Sequence, residues 1–250
     1  MTNSTVRSSL RLSAALLLVG QLLYIVITQF HTGGEANDHP AIFAAYAGSE
    51  TWTVVHVGQF AAIAILLAGL FALFFALEVE AGTASWAGRF GAASAVVALA
   101  LYGALQAVDG VANKQADVAW VSAPEAEKAA RFASAEVIRW VEWGLRSYHD
   151  YALGLALLLV AAALVRAASV PRPIAYLMGL SGLTYLVQGW VAGTEGFSQT
   201  QSIAIVLAWV LSLAWMIWLA VGAWQMPDAE PHRPADNGGS RPDAIQASSR

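Results

Sequence analysis

The sequence predicts an all-α fold: a polytopic membrane protein with six transmembrane helices in one bundle and a long amphipathic helix leading into the fourth span. Three observations carry that reading. Hydrophobic residues make up 58% of the 250-residue chain and charged residues only 12%, about half the charged share of an ordinary soluble domain, and the mean hydropathy is +0.56. Several apolar runs exceed the roughly 18 residues that mark a spanning helix. No ten-residue alternation of the kind a membrane β-barrel needs is present.

Composition also narrows the function classes. The formal net charge of −4 is small and spread along the chain, which argues against nucleic acid as a partner and leaves the lipid bilayer as the expected one. The absence of cysteine rules out disulfides, thiolate metal sites and cysteine nucleophiles. Eleven arginines against two lysines, with abundant alanine, point to a GC-rich bacterial genome and hence to a bacterial inner membrane.

The first expected span, 12–30, follows Arg7 and Arg11. Gln21, Tyr24 and Gln29 interrupt it and no small-x-small site follows, so it reads as a retained span rather than a cleaved signal peptide. In the loop that comes next, Pro40 can open a short helix lying on the membrane surface. The second span, 52–77, carries His56 and Gln59 as its strongly polar members, and the third, 90–111, ends in QAVDGVANK. Ser122-Ala-Pro124-Glu125 then has the form of a capping box that starts a helix. Beyond it only Gly144 breaks the helical pattern, so either one long helix runs from 123 to 168 or an interfacial helix bends at Gly144 into a fourth span at 146–168. A Pro-Arg-Pro turn leads to a fifth span, 174–192, and GTEGFSQTQ to a sixth, 203–224. Residues 1–225 thus form one transmembrane domain, and 226–250, rich in Pro, Asp, Gly, Ser and Arg, read as a disordered cytoplasmic tail.

An even number of spans puts both termini on one side. Arg7, Arg11, Arg89, Arg166, Arg172, Arg233, Arg241 and Arg250 then share that side, whereas loops 31–50 and 193–200 contain no Lys or Arg. Lys114, Lys128, Arg131, Arg139 and Arg146 fall in the long third loop and its helix, which weighs little in a rule counted over short loops, so both termini are expected in the cytoplasm. A similarity between GQLLYIV at 20–26 and SGLTYLV at 181–187 leaves chance and a parallel internal repeat both open.

Polar residues of the spans fall on single helix faces. Gln21, Tyr24, Thr28 and His31 make one stripe; His56 and Gln59 a second; Tyr102, Gln106, Asp109 and Asn113 a third; Arg139, Glu142, Arg146 and His149 a fourth; Tyr185 and Gln188 a fifth. All five share the non-cytoplasmic end under this topology. Because polar side chains in hydrocarbon cost several kcal/mol, such stripes turn toward the bundle interior, which predicts a polar cavity open to the outside. It would bind or pass a small solute, a lipid-like ligand or a proton. Asp109, Glu142, Arg146, His56 and His149 would be its working groups, lined by Gln59, Gln106, Asn113, Tyr24, Tyr102 and Gln188.

Counting depth from Asp150 puts Glu136 and Arg139 in water, Trp140 and Trp143 at the interface, and Arg146 and His149 inside, where a pair of Asp109 with Arg146 or His149 would neutralise a buried charge. The plainer reading is a solvated helix face, since Glu127 to Arg131 and Glu142 to Arg146 are ordinary i,i+4 pairs worth about 0.2–0.5 kcal/mol each. No cofactor is required. The alternative is a membrane oxidoreductase holding haem b between His56 and His149, though no CxxCH, HExxH or GxSxG motif accompanies them. A third reading is a structural or interaction subunit whose helix at 123–150 meets a partner.

The strings HPAIFAAYA, WTVVHVGQF, VDGVANKQA and FASAEVIRWVEWGLRSY resemble those of a family of uncharacterised multi-spanning bacterial membrane proteins, over about residues 10–225. That resemblance implies the membrane class and assigns no catalytic residue.

Overall fold

The computed structural model describes residues 3–35, 37–77, 83–167 and 170–226, all helix and connecting turns. The order is α1 (Asn3–Thr28), α2 (His39–Gly48), α3 (Trp52–Ala76), α4 (Thr83–Ala107), a π-helical segment (Val108–Asn113), α5 (Lys114–Val121), α6 (Glu125–Leu164), α7 (Arg172–Glu195) and α8 (Gln199–Gln225). Six helical stretches are long and apolar enough to cross a membrane: Thr5–Thr28, Trp52–Ala76, Ala84–Val121, Glu125–Leu164, Arg172–Glu195 and Gln199–Gln225. The expected tail, from 227 on, lies outside the described residues.

The six stand in a closed ring. Neighbours run α3, α1, α8, α7, α6, α4 and back to α3, with the α3–α4 seam the least extensive. Their outward surface is apolar: Leu22, Val26, Val97, Leu183, Val187 and Val210 are exposed, as residues facing lipid should be. Since lipid is as apolar as leucine, close contact between helices comes from small residues that let backbones approach. Gly20 sits where a Cβ would fall 2.5 Å from the Leu66 backbone nitrogen, and Gly69 opposes the Leu17 backbone in the same way, so α1 and α3 cross closely. Ser13 Oγ adds a hydrogen bond to the Gly69 carbonyl at 2.8 Å. Gly154 and Gly182 face each other across α6 and α7, each Cβ position lying within 2.8 Å of the other's carbonyl oxygen. At the end away from α2, Arg11 donates from Nε to the Ala223 carbonyl at 3.0 Å, and from Nη2 to that of Trp224, capping α8.

Two expectations about helix limits are corrected, and one open alternative is decided. The third span does not stop near 111: helix continues through the π segment and α5 to Val121. α6 is one unbroken helix of 40 residues, about 60 Å long and twice the hydrocarbon thickness of about 30 Å, so there is no bend at Gly144, whose α-carbon faces open space. The Ser122 capping box is not formed either. Ser122 closes α5, its hydroxyl donating to the Val118 carbonyl at 2.7 Å, and α6 begins after an extended Pro124.

α2 does open with Pro40 in its first turn, capped by Asp38, whose carboxylate accepts from the Ala41 amide. Instead of lying free on a surface it buries Ile42, Phe43 and Tyr46 against Trp52, Trp120, Phe132 and Ala135. This second small core roofs one end of the ring, the cap end.

Candidate functional site at the cap end

The first turn of α3 sets the geometry. Trp52 donates its indole N–H to the backbone carbonyl of Asp109 at 3.2 Å, and its own carbonyl is 2.7 Å from Nδ1 of His56. A carbonyl only accepts, so Nδ1 carries the proton and Nε2 points away from its own helix. It points at Oδ2 of Asp109, 3.1 Å away. The approach requires Gly110: a Cβ there would lie 2.9 Å from the His56 Cβ and 3.1 Å from its Cγ. His31, just past the end of α1, brings its Nε2 to 3.7 Å from the same Asp109 oxygen, and the two imidazoles lie 5.0 Å apart, centre to centre.

Asp109 sits in the π segment, a helical irregularity that recurs at functional sites. One turn on, Asn113 donates both to Oδ1 of Asp109 (3.3 Å) and to Oε2 of Glu142. Glu142 accepts from Nη1 of Arg139 at 2.6 Å, and that guanidinium stacks on Tyr46 and on Phe197, 4.5 Å from the latter's ring centre. Arg139 is only 2% exposed, which corrects its expected place in water: α2 and the turn between α7 and α8 cover it. Burial pushes the Tyr46 phenol well above its usual range, so it stays neutral beside these charges. Lys114 is spent on the last carbonyls of α2, those of Tyr46, Ala47 and Ser49, at 2.7–2.9 Å. Asp117 is 1% exposed and neither carboxylate oxygen has a hydrogen-bond partner.

A second cluster lies deeper. Arg146 donates from Nε to Asp150 at 2.9 Å, from Nη1 to the Tyr24 hydroxyl at 3.0 Å and from Nη2 to Gln188 at 3.4 Å, joining α6, α1 and α7. His149 has its Nδ1 on the Ala98 carbonyl at 2.9 Å and its ring against Tyr102.

The five stripes therefore do turn inward, and several of their members bond to one another, so they form a polar core rather than an open vestibule. Gln59 donates to Thr28 at 3.1 Å. Gln106 stands apart, with His56, in a groove of about 270 Å³ that opens sideways between α3 and α4 and is otherwise lined by Thr53, Val57, Phe60 and small residues. The expected Asp109–Arg146 or Asp109–His149 pair is not formed. Asp109 meets His31 and His56 first, and Arg146 has Asp150 one turn away on its own helix. His56 and His149 belong to different clusters, with the Nε2 of His56 directed at Asp109, so the paired-haem arrangement is not what their side chains build.

Sequence reasoning missed His31 as a partner, and also Tyr46, Lys114, Asp117, Arg139 and Asp150. Three had a readable signal. His31 ends the Gln21–Tyr24–Thr28 stripe, Arg139 opens the Glu142–Arg146–His149 stripe, and Asp117 extends the Asp109–Asn113 spacing by one more turn.

Ring and polar core together define an all-α integral membrane protein with buried charge gathered toward one end. No family model, curated protein or solved structure matches the chain.

Proposed function

We propose that this protein binds a small cationic species, an ion or a cationic solute, at the cap end of its bundle, with His31, His56 and Asp109 as the centre and Asn113, Glu142 and Arg139 as its support. The observation that supports this is a charge imbalance. Asp109, Asp117 and Glu142 are three buried carboxylates, and the cations among them are two, Arg139 and Lys114. An unmatched buried charge is costly and is relieved by a bound proton or by one more positive charge, and the two imidazoles facing Asp109 are where a cation fits. With Arg7, Arg11, Arg89, Arg166 and Arg172 at the opposite end and no Lys or Arg in loops 31–50 and 193–200, the cap faces outward from a bacterial inner membrane and both termini are cytoplasmic. Arg146, His149, Tyr24, Tyr102 and Gln188 hold the ring together beneath the site, and Gln106 and Gln59 flank it.

The test is a melting-temperature screen of the purified protein against a panel of inorganic and organic cations. The wild type gains stability with at least one of them and Asp109→Asn, still folded by circular dichroism, does not. Equal responses from the two proteins would sink the reading.

A second reading, an interaction subunit, draws on Val137, Trp140 and Val141, an exposed apolar stripe on the part of α6 beyond the ring. Co-purification of a stoichiometric partner that is lost in Trp140→Glu would favour it.

A further inference from the structure

We infer that His31, His56 and Asp109 form a three-ligand site for a divalent transition-metal ion of the zinc type, an inference that rests on the reading of this cluster as a cation site. A ring nitrogen of each histidine and a carboxylate oxygen of Asp109 all lie within 4.8 Å of one another. Zinc bonds of about 2.0–2.2 Å in tetrahedral geometry separate neighbouring ligand atoms by roughly 3.3–3.6 Å. The two Nε2–Oδ2 distances, 3.1 and 3.7 Å, bracket that edge.

The surroundings are those of metal ligands. Nδ1–H of His56 is held by the Trp52 carbonyl, which fixes the tautomer and aims the Nε2 lone pair at Asp109. A lone pair facing a carboxylate at 3.1 Å is repulsive unless a proton or a shared cation stands between them. The second oxygen of Asp109 accepts from Asn113, which orients the carboxylate from behind. Two imidazoles and one carboxylate favour zinc, iron, nickel or copper over magnesium and calcium, which prefer all-oxygen sites. The ligands come from the ends of three segments, α1, α3 and the π segment, so the ion would fasten three helices of the ring at its rim.

The site is open on one side. The side chains of His31 and Asp109 are 21% and 11% exposed, whereas that of His56 is 3% exposed, so the approach is from the His31 side. Three protein ligands with an accessible fourth position is the pattern of sites that bind water or substrate on the metal, as opposed to the closed four-ligand structural type.

The experiment uses the full chain in detergent, stripped with a chelator and then titrated with cobalt(II), read by visible absorption and by metal analysis. One cobalt per chain, with the intense bands of low-coordinate cobalt and displacement by zinc, is expected. His31→Gln and Asp109→Asn should weaken binding by 100-fold or more, while His39→Gln binds as the wild type does. If Asp109→Asn fails to fold, His31→Gln, at a partly exposed helix end, carries the comparison alone. A folded wild type that takes up no cobalt or zinc, or binding unchanged in His31→Gln, overturns the metal. Should an organic or monovalent cation still stabilise the protein in an Asp109-dependent way, the cation site survives that failure; if no cation of any kind does, both fall.

Discussion

Gly110 and His56 meet so closely that the glycine has no room for a side chain: a Cβ at position 110 would sit 2.9 Å from the Cβ of His56. That contact lets α3 approach the π segment and delivers the His56 imidazole to Asp109. Gly110→Val should push the two apart, lowering stability by about 1–3 kcal/mol as overpacking does and removing any cation response. Gly144→Ala is the control: its added methyl meets open space on a long helix, and it should be neutral or stabilising by up to about 1 kcal/mol. Thermal unfolding of both variants in the same detergent decides. Comparable losses would mean that Gly110 has no special place.

Arg139 and Glu142 behave as one unit because both are buried. Arg139→Met alone leaves the Glu142 carboxylate without its cation and should cost about 3–5 kcal/mol. The double variant Arg139→Met/Glu142→Leu should recover much of that loss, although Asn113 is left with one partner fewer. Chemical denaturation of the two single variants and the double closes the cycle, and additive losses would contradict the coupling.

Arg146 reaches three helices through three different nitrogens. A lysine keeps the charge but brings a single ammonium, so Arg146→Lys should retain the Asp150 pair and lose the fork to Tyr24 and Gln188. A loss of about 1–3 kcal/mol is expected from the hydrogen bonds broken in a buried setting. An unchanged melting temperature would show that those bonds contribute nothing net.

The α6–α7 crossing depends on Gly154 and Gly182 together. Either one changed to leucine should drive the helices apart and reduce the folded fraction recovered from membranes. The double Gly154→Ala/Gly182→Ala should lose less than the sum of its singles, since the first methyl already opens the crossing that the second would need. Fluorescence-detected gel filtration reports the outcome, and strictly additive losses would count against this contact.

Membrane class, six long apolar helices and the inward turn of the polar stripes were all legible from residue order, because hydropathy and helical spacing are local properties. The spacing of Tyr24, Asp109, Glu142, Arg146 and Gln188 told which face of each helix is polar. It did not tell how each helix is rotated and raised against its neighbours, and that choice decides partners. Asp109 could have met Arg146; the Gly110 contact and the position of Trp52 give it His56 and His31 instead. Arg139 looked solvated because a charge on an amphipathic helix ordinarily is, and only the tertiary position of α2 and Phe197 buries it. The π segment was likewise silent in the sequence, since VDGVAN differs from ordinary helix only in which carbonyl each N–H finds. Identity and spacing of the polar groups thus belong to the sequence; their pairing, burial and the geometry around Asp109 belong to the crossings of the ring.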